Sequence, residues 1–315
     1  MAVYTKISLQ ELRQFLNQFS LGNIIKFEPI IAGIENSNYF LHTQKGRFVL
    51  TLFEARTRKE DLPFFLALMA HLRNNGLPIA EVMKDNSNKT IFDLKGRPAI
   101  LVSFLDGAPH DPPSPQDCYK IGQAMARMHL AVHDFPQNRK NDLSLSGWRR
   151  LAQQCLPGAE KCDPILPQLI AGELAYLSEN WSRFETLPQG IIHADLFADN
   201  ILFNGNEISA IIDFYFACSD YFAYDLAISI CANCFDQHHD LQGAKMQEMM
   251  EGYHSAKPLS QEEQTALPLL MRGACLRFLL TRLYDWLHQK PGAFVTIKNP
   301  NEYTKKILSL REYYA

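Results

Sequence analysis

Ile191-Ile-His-Ala-Asp-Leu-Phe-Ala-Asp-Asn-Ile-Leu-Phe203 sets His193, Asp195 and Asn200 in an H-x-D-x-x-x-x-N pattern between two apolar runs. The flanking runs read as strands, so the polar residues fall on the loop that joins them. A second carboxylate, Asp213, follows within Ile211-Ile-Asp-Phe214. Transfer of a phosphoryl group from a metal-bound nucleotide to a hydroxyl needs such a set. One carboxylate orients the acceptor, while an amide and another carboxylate hold the metal against the phosphates. Asp195 is thus the candidate base, and Asn200 and Asp213 are the candidate metal ligands. Each residue alone reads as a turn cap or a strand end. Their joint spacing selects the chemistry.

Upstream of this loop the pattern is rich in strands. Ser8-Leu-Gln-Glu11 has the form of a capping box, with Leu9, Leu12, Phe15, Leu16 and Phe19 at helical spacing behind it. Runs at Ile24–Ile31, Asn38–His42 and Phe48–Phe53 predict an antiparallel meander, and Asp61–Asn74 predicts a helix with Pro63 near its start and Gly76 beyond its end. Further runs at Ile91–Leu94 and Ala99–Phe104 are joined by Lys95-Gly96. Asp106-Gly-Ala-Pro-His-Asp-Pro-Pro-Ser-Pro115 carries four prolines in ten residues and continues neither a helix nor a central strand. We place the domain boundary there, giving a small lobe over 1–105 and a larger lobe over 106–315. Past it the spacing is mainly helical, at Ser114–Val132, Pro167–Phe184 and Leu269–Leu287. The expected class is α+β, a small lobe with an antiparallel sheet and one long helix beside a larger, mainly helical lobe.

The chain has 315 residues, 47% of them hydrophobic, with 31 Lys and Arg against 34 Asp and Glu. It is too apolar for disorder and has no polybasic block, so neither nucleic acid nor an anionic membrane is an expected partner. The first residues lack a signal-peptide pattern and no apolar run is long enough to span a bilayer, which predicts a soluble cytoplasmic protein. Seven cysteines without a framework read as reduced thiols. Cys231-Ala-Asn-Cys234, followed by His238 and His239, lies in an apolar stretch and reads as buried helix rather than as a metal site.

In the small lobe, Ala32-Gly-Ile-Glu-Asn-Ser-Asn-Tyr39 falls between two strand runs, where a phosphate-covering turn would lie. Gly33 permits close backbone approach, and Ser37 and Asn38 offer donors to phosphate oxygens. A hairpin turn of no special function is the competing reading.

These features together resemble the aminoglycoside phosphotransferase and choline kinase superfamily, which shares the protein-kinase fold. The segments Leu50-Thr-Leu-Phe-Glu54, His193-Ala-Asp-Leu-Phe197, Ile212-Asp-Phe-Tyr-Phe-Ala-Cys218 and Leu276-Arg-Phe-Leu-Leu-Thr-Arg-Leu-Tyr-Asp-Trp286 are similar to the homoserine kinases of that fold. The resemblance implies ATP and Mg²⁺ as cofactors and transfer of the γ-phosphoryl group to the hydroxyl of L-homoserine, a step toward threonine. It implies that Asp195 orients the hydroxyl, that Asn200 and Asp213 hold Mg²⁺, and that Gly33, Ser37 and Asn38 line the phosphates. Val49 would line the adenine pocket, and main-chain groups from Ser103 to Leu105 would pair with the base. His193 and Asp225 would be structural, Asp225 by accepting backbone hydrogen bonds from the catalytic loop.

One departure from the wider kinase pattern is Thr51, at the strand position that usually carries a phosphate-binding lysine. Homoserine has a carboxylate, so its site needs a cation. Arg277 and Arg282, in an apolar helix, are candidates, as are Tyr215 and Asp220 beyond the metal carboxylate. The alternative for the arginines is an Arg282–Asp285 pair, or both bracing the helix against the loop. Rival functions are a kinase of the same fold acting on an aminoglycoside, choline or another amino alcohol, and a nucleotide-binding regulator without catalysis.

Overall fold

The structure is a computed structural model that describes residues 4–31, 36–54, 57–288 and 298–314. Those residues fall into two compact units that divide between Asp106 and Gly107, with 298–314 joining the second.

In the first unit, helix α1 (Leu9–Leu16) precedes strands β1 (Ile24–Pro29), β2 (Ser37–Thr43) and β3 (Gly46–Leu52). Helix α2 (Leu62–Asn74) and strands β4 (Phe92–Leu94) and β5 (Arg97–Ser103) complete it. The strands form one antiparallel sheet in the order β1-β2-β3-β5-β4. The capping box forms as the sequence predicts: Ser8 Oγ accepts from the Glu11 N–H at 3.2 Å, and the Glu11 carboxylate accepts from the Ser8 N–H at 2.7 Å. Strand alternation then sorts the sheet's two faces. Tyr39, Leu41, Phe48, Leu50 and Leu52 join Leu12, Phe15 and Leu16 of α1 in one core, each buried side chain contributing about 1.5–3 kcal/mol. Asn38, Phe40, Val49, Thr51 and Val102 therefore share the opposite face, because Asn38 pairs with Thr51, and Phe40 with Val49 and Val49 with Val102.

The second unit is mainly helical. Helices α3 (Pro115–Ala131), α4 (Leu145–Ala159) and α5 (Leu166–Asn180) lead into strands β6 (Gln189–Ile192), β7 (Ile201–Asn204), β8 (Glu207–Ile211) and β9 (Cys218–Tyr221). Helices α6 (Phe222–Asn233), α7 (Gly243–Ala256), α8 (Gln261–Leu287) and α9 (Asn301–Tyr313) follow. The predicted helix ending at Phe184 stops at Asn180 and gives way to a 3-10 turn, Trp181–Phe184. Helix α8 begins well before the expected Leu269, from a Ser260/Glu263 capping box that carries it through Pro268. Helices α7 and α9 have glycine-containing or polar sequences that obscure their periodicity, and packing decides them, whereas α4 buries Trp148, Ala152, Cys155 and Ala159 at regular helical spacing that went unread. Helices α3 and α7 meet backbone to backbone, since a Cβ on Gly252 would lie 1.9 Å from the Tyr119 carbonyl oxygen. Among the described residues, no helix is long and apolar enough to cross a membrane.

Candidate active site

The two short ladders of the second unit, β6/β9 and β7/β8, position the loops that matter. Residues 193–200 run from β6 to β7, and residues 212–217 run from β8 to β9. Ile201 pairs with Ile211, and the ladder continues one step further through the Ile212 N–H, which donates to the Asn200 carbonyl at 3.0 Å. That bond places Asn200 beside the residue preceding Asp213. His193 makes a second link: its Nε2 bonds the Ile212 carbonyl at 3.0 Å, and its Nδ1 accepts the Asp195 N–H at 3.2 Å. His193, Asp195, Asn200 and the Asp213 turn are thus brought to one end of the two ladders.

The loop backbone is held from below by α6. Asp225 accepts the His193 N–H at 2.9 Å and the Ala194 N–H at 2.8 Å. One and two helical turns further on, Ser229 Oγ and Asn233 Nδ2 donate to the Leu196 carbonyl at 3.2 and 3.0 Å. Asp225, Ser229 and Asn233 form a buried polar stripe at i, i+4 and i+8 on an otherwise apolar helix. Ser229 and Asn233 went unread in the sequence, although three polar residues at that spacing within Phe222–Asn233 were the available signal. Ala194 itself is left-handed, with φ 64°, a conformation costing about 1–2 kcal/mol for a residue with a Cβ.

Asp225 keeps its charge in the interior. Burial opposes ionisation, yet the hydrogen bonds from His129 and from the backbone N–H of His193 hold its carboxyl below the usual aspartate value. Burial pushes His129 and His193 down from 6.5, so both are neutral. The neutral tautomer of His129 then donates from Nε2 to Asp225 at 3.0 Å and accepts at Nδ1 from the Tyr253 hydroxyl at 2.8 Å. His129 and Tyr253 are supports that sequence spacing did not reveal, His129 lying 96 residues from Asp225 and 124 from Tyr253.

Asn200 and Asp213 suit a magnesium ion. The Asn200 amide nitrogen donates to the Asp195 carbonyl at 2.8 Å, so the amide oxygen is the end that would face a metal. Asp213 is exposed and left-handed at φ 65°, ψ 57°. An amide and a carboxylate leave most of the octahedron to phosphates and water, as Mg²⁺ prefers. Among the described residues no cluster of three or more His, Cys, Asp or Glu is arranged to hold a metal. Cys231 and Cys234 are buried, and the Cys231 thiol meets the Met271 carbonyl at 3.4 Å.

The nucleotide-side candidates lie in the first unit and divide. Gly33 lies outside the described residues. Ser37 is fully buried, accepts the Tyr4 and Thr5 N–H groups at 2.9 and 3.0 Å and donates to Glu54 at 2.6 Å. Its hydroxyl is consumed in anchoring the N-terminal segment, which departs from the expected phosphate contact. Asn38 is half-buried, and Thr51 Oγ donates to its side-chain oxygen at 2.8 Å, turning its amide nitrogen into the donor end. Val49 is half-exposed on the sheet face away from α1. Ser103 and Phe104 commit their N–H groups to the Glu81 and Arg47 carbonyls at 2.8 and 2.9 Å, so neither of these two N–H groups is on offer to a base.

The substrate candidates fare differently. Arg277 is 2% exposed, and its guanidinium donates to the Ala194 carbonyl at 2.5 Å. Arg282 pairs with Glu302 at 2.5 Å instead of with Asp285, and with the Asn299 carbonyl at 3.4 Å. Folding thus gives each guanidinium an acceptor within the chain, as a buried cation requires. Asp220 accepts from Asn141 at 2.7 Å and from the Tyr221 N–H at 2.8 Å, and burial raises its pKa. Tyr215 is half-buried in the 3-10 turn Phe214–Phe216 directly after Asp213.

Comparison with known proteins gives the family and the fold. Residues 26–259 match the phosphotransferase enzyme family. A homoserine kinase of Rhodopseudomonas palustris is 47% identical over 98% of this chain and 94% of its own length, and one of Methylobacterium radiotolerans is 45% identical over 99% and 97%. Among solved structures, a spectinomycin phosphotransferase in complex with ADP and its antibiotic superimposes with a TM-score of 0.66 at 15% identity, covering 99% of both chains. The two-lobe, protein-kinase-like architecture is shared with such enzymes, and near-half identity along almost the whole chain narrows the relationship further. The chain belongs to the phosphotransferase enzyme family and, within it, to the homoserine kinases.

Proposed function

We propose that this protein transfers the γ-phosphoryl group of ATP to the side-chain hydroxyl of L-homoserine, giving O-phospho-L-homoserine and ADP. The observation that carries the reading is the convergence of Asp195, Asn200 and the Asp213 turn through the Asn200–Ile212 and His193–Ile212 bonds. The first unit is the nucleotide-binding lobe in this reading, with Asn38, Val49 and Leu105 on the nucleotide side. The second carries catalysis and acceptor binding, with Tyr215 and Asp220 nearest the turn that follows Asp213.

Asp195 receives the hydroxyl hydrogen bond and takes the proton as the acceptor oxygen bonds to phosphorus and the bond to the bridging oxygen breaks. His193 is neutral and spends both nitrogens on backbone groups, so it positions Asp195 without moving a proton. Mg²⁺ held by Asn200 and Asp213 would neutralise charge on the phosphate oxygens. Most of the catalytic effect comes from preorganisation, which explains why so many backbone groups of residues 193–196 are bonded to buried side chains.

A coupled ADP-release assay with homoserine, serine, choline and an aminoglycoside tests the reading. Homoserine should exceed serine, one methylene shorter, by about 10–200-fold in kcat/KM. Preference for choline or the aminoglycoside would remove homoserine as acceptor, and no turnover with any of the four would remove phosphoryl transfer.

A further inference from the structure

We propose that Arg277 is a positioning residue for catalysis, which fixes the peptide unit carrying Asp195 through the Ala194 carbonyl. This inference rests on the reading of Asp195 as the group that orients the acceptor. The peptide joining Ala194 to Asp195 is held at both ends: its oxygen by Arg277 Nη1 at 2.5 Å, and its N–H by His193 Nδ1 at 3.2 Å. Rotation of that plane would swing the Asp195 side chain. The plane is also strained, since Ala194 occupies the left-handed region at φ 64° while carrying a Cβ and being 1% exposed. Such a conformation persists only where surrounding groups over-determine it. Asp225 holds the Ala194 N–H and Arg277 the Ala194 carbonyl, so an anion and a cation grip the residue from its two sides.

Arg277 is otherwise costly. It is 2% exposed, its Nε has no hydrogen-bond partner, and none of the ion pairs among the described residues includes it, its charge reaching the buried Asp220 only at longer range. Its guanidinium instead lies 4.6 Å from the Phe278 ring centroid and 5.6 Å from that of Phe216. Phe216 belongs to the turn that begins at Asp213, so Arg277 touches both the loop of Asp195 and the turn of the metal-ligand candidate. A buried guanidinium with no carboxylate in contact is a poor choice for stability. It is a good one for a charge-assisted bond to a single strained carbonyl, about twice as strong as a neutral bond.

The test compares Arg277→Lys, Arg277→Gln and Arg277→Met with the native enzyme. It measures kcat, KM for homoserine, KM for ATP, thermal midpoint, and hydrogen exchange of a peptide covering 193–200. Arg277→Met is expected to lose about 10²-fold in kcat with both KM values within about threefold, the pattern of an interaction felt in the transition state. Exchange in 193–200 should quicken, and Arg277→Lys, which keeps a charged donor, should recover part of the rate. A rise of more than about tenfold in KM for homoserine at unchanged kcat would make Arg277 a substrate ligand and overturn the proposal. Native kcat in the folded fraction of Arg277→Met, or failure of all three variants to fold, would leave it a structural residue only. Native turnover of homoserine in the same assay separates failure of this inference from failure of the functional reading beneath it.

Discussion

Asp225 and His129 lie 3.0 Å apart, both fully buried, and the carboxylate of Asp225 also receives the N–H groups of His193 and Ala194. The loop that carries Asp195 is therefore suspended from one interior anion. Asp225→Asn puts an amide where three donors converge. Unsatisfied buried donors cost about 1–3 kcal/mol each, so a loss near 3 kcal/mol is expected, and at 2–4 °C per kcal/mol the thermal midpoint should fall by about 6–12 °C. Differential scanning calorimetry checks it; an unchanged midpoint would show that the anion is dispensable to the fold.

The same buried groups set the pH response. His129 and His193 have folded pKa values below 6.5 because burial disfavours their charge. The unfolded chain thus binds protons first as pH falls, and stability decreases below about pH 6.5. Asp225, also depressed, and Glu302, held down to about 2 against burial by Lys306 and Arg282, add a second loss below about pH 4.5. Thermal midpoints between pH 4 and 8 should be flat above about 7 and decline below. A midpoint that rises on acidification to pH 5.5 would contradict the sign.

Asp195→Asn should lower kcat by roughly 10²–10⁴-fold with the thermal midpoint within about 2 °C of native, because the change removes a proton acceptor from a half-buried position without opening a cavity. Near-native turnover in a steady-state assay would remove Asp195 from its role.

Ser37 and Asn38 are adjacent yet should part company. Ser37→Ala leaves the Tyr4 and Thr5 N–H groups and Glu54 without their shared partner, for a loss of about 1–3 kcal/mol in stability and little change in KM for ATP. Asn38→Ala should raise KM for ATP by about tenfold, the worth of one charge-assisted phosphate bond. Nucleotide titrations of both variants decide between the two roles.

Gly252→Ala and Gly122→Ala test the contact of α3 with α7. A new Cβ would stand 1.9 Å from the Tyr119 oxygen and 2.0 Å from the Met249 oxygen, respectively. Backbone atoms cannot step aside as side chains do, so each variant should lose about 1–3 kcal/mol or more. Urea titration reads this directly, and native stability in either variant would mean that the helices separate easily.

Much of the fold was legible because its signals are local. The capping box at Ser8, the helix start at Ser114-Pro115 and the alternation in Asn38–His42 and Phe48–Phe53 depend on neighbours within four residues. The spacing of His193, Asp195, Asn200 and Asp213 is likewise short-range, since a loop between strands needs few residues to return on itself. Helix α8 was legible as helix and not in its length, because Pro268 masks continuity that the Ser260 cap maintains.

The sequence by itself determined which residues could do chemistry and on what kind of element each stands. Only the tertiary structure decided what the buried polar groups are for. Arg277 and Arg282 were equal candidates on one helix, yet one grips a carbonyl 83 residues away and the other pairs with Glu302. Ser37, beside a turn suited to phosphate, instead ties down the backbone at Tyr4 and Thr5. Periodicity says that a face is buried, but a buried polar group must find a partner wherever the chain brings one, and that partner is fixed by packing between segments far apart in sequence.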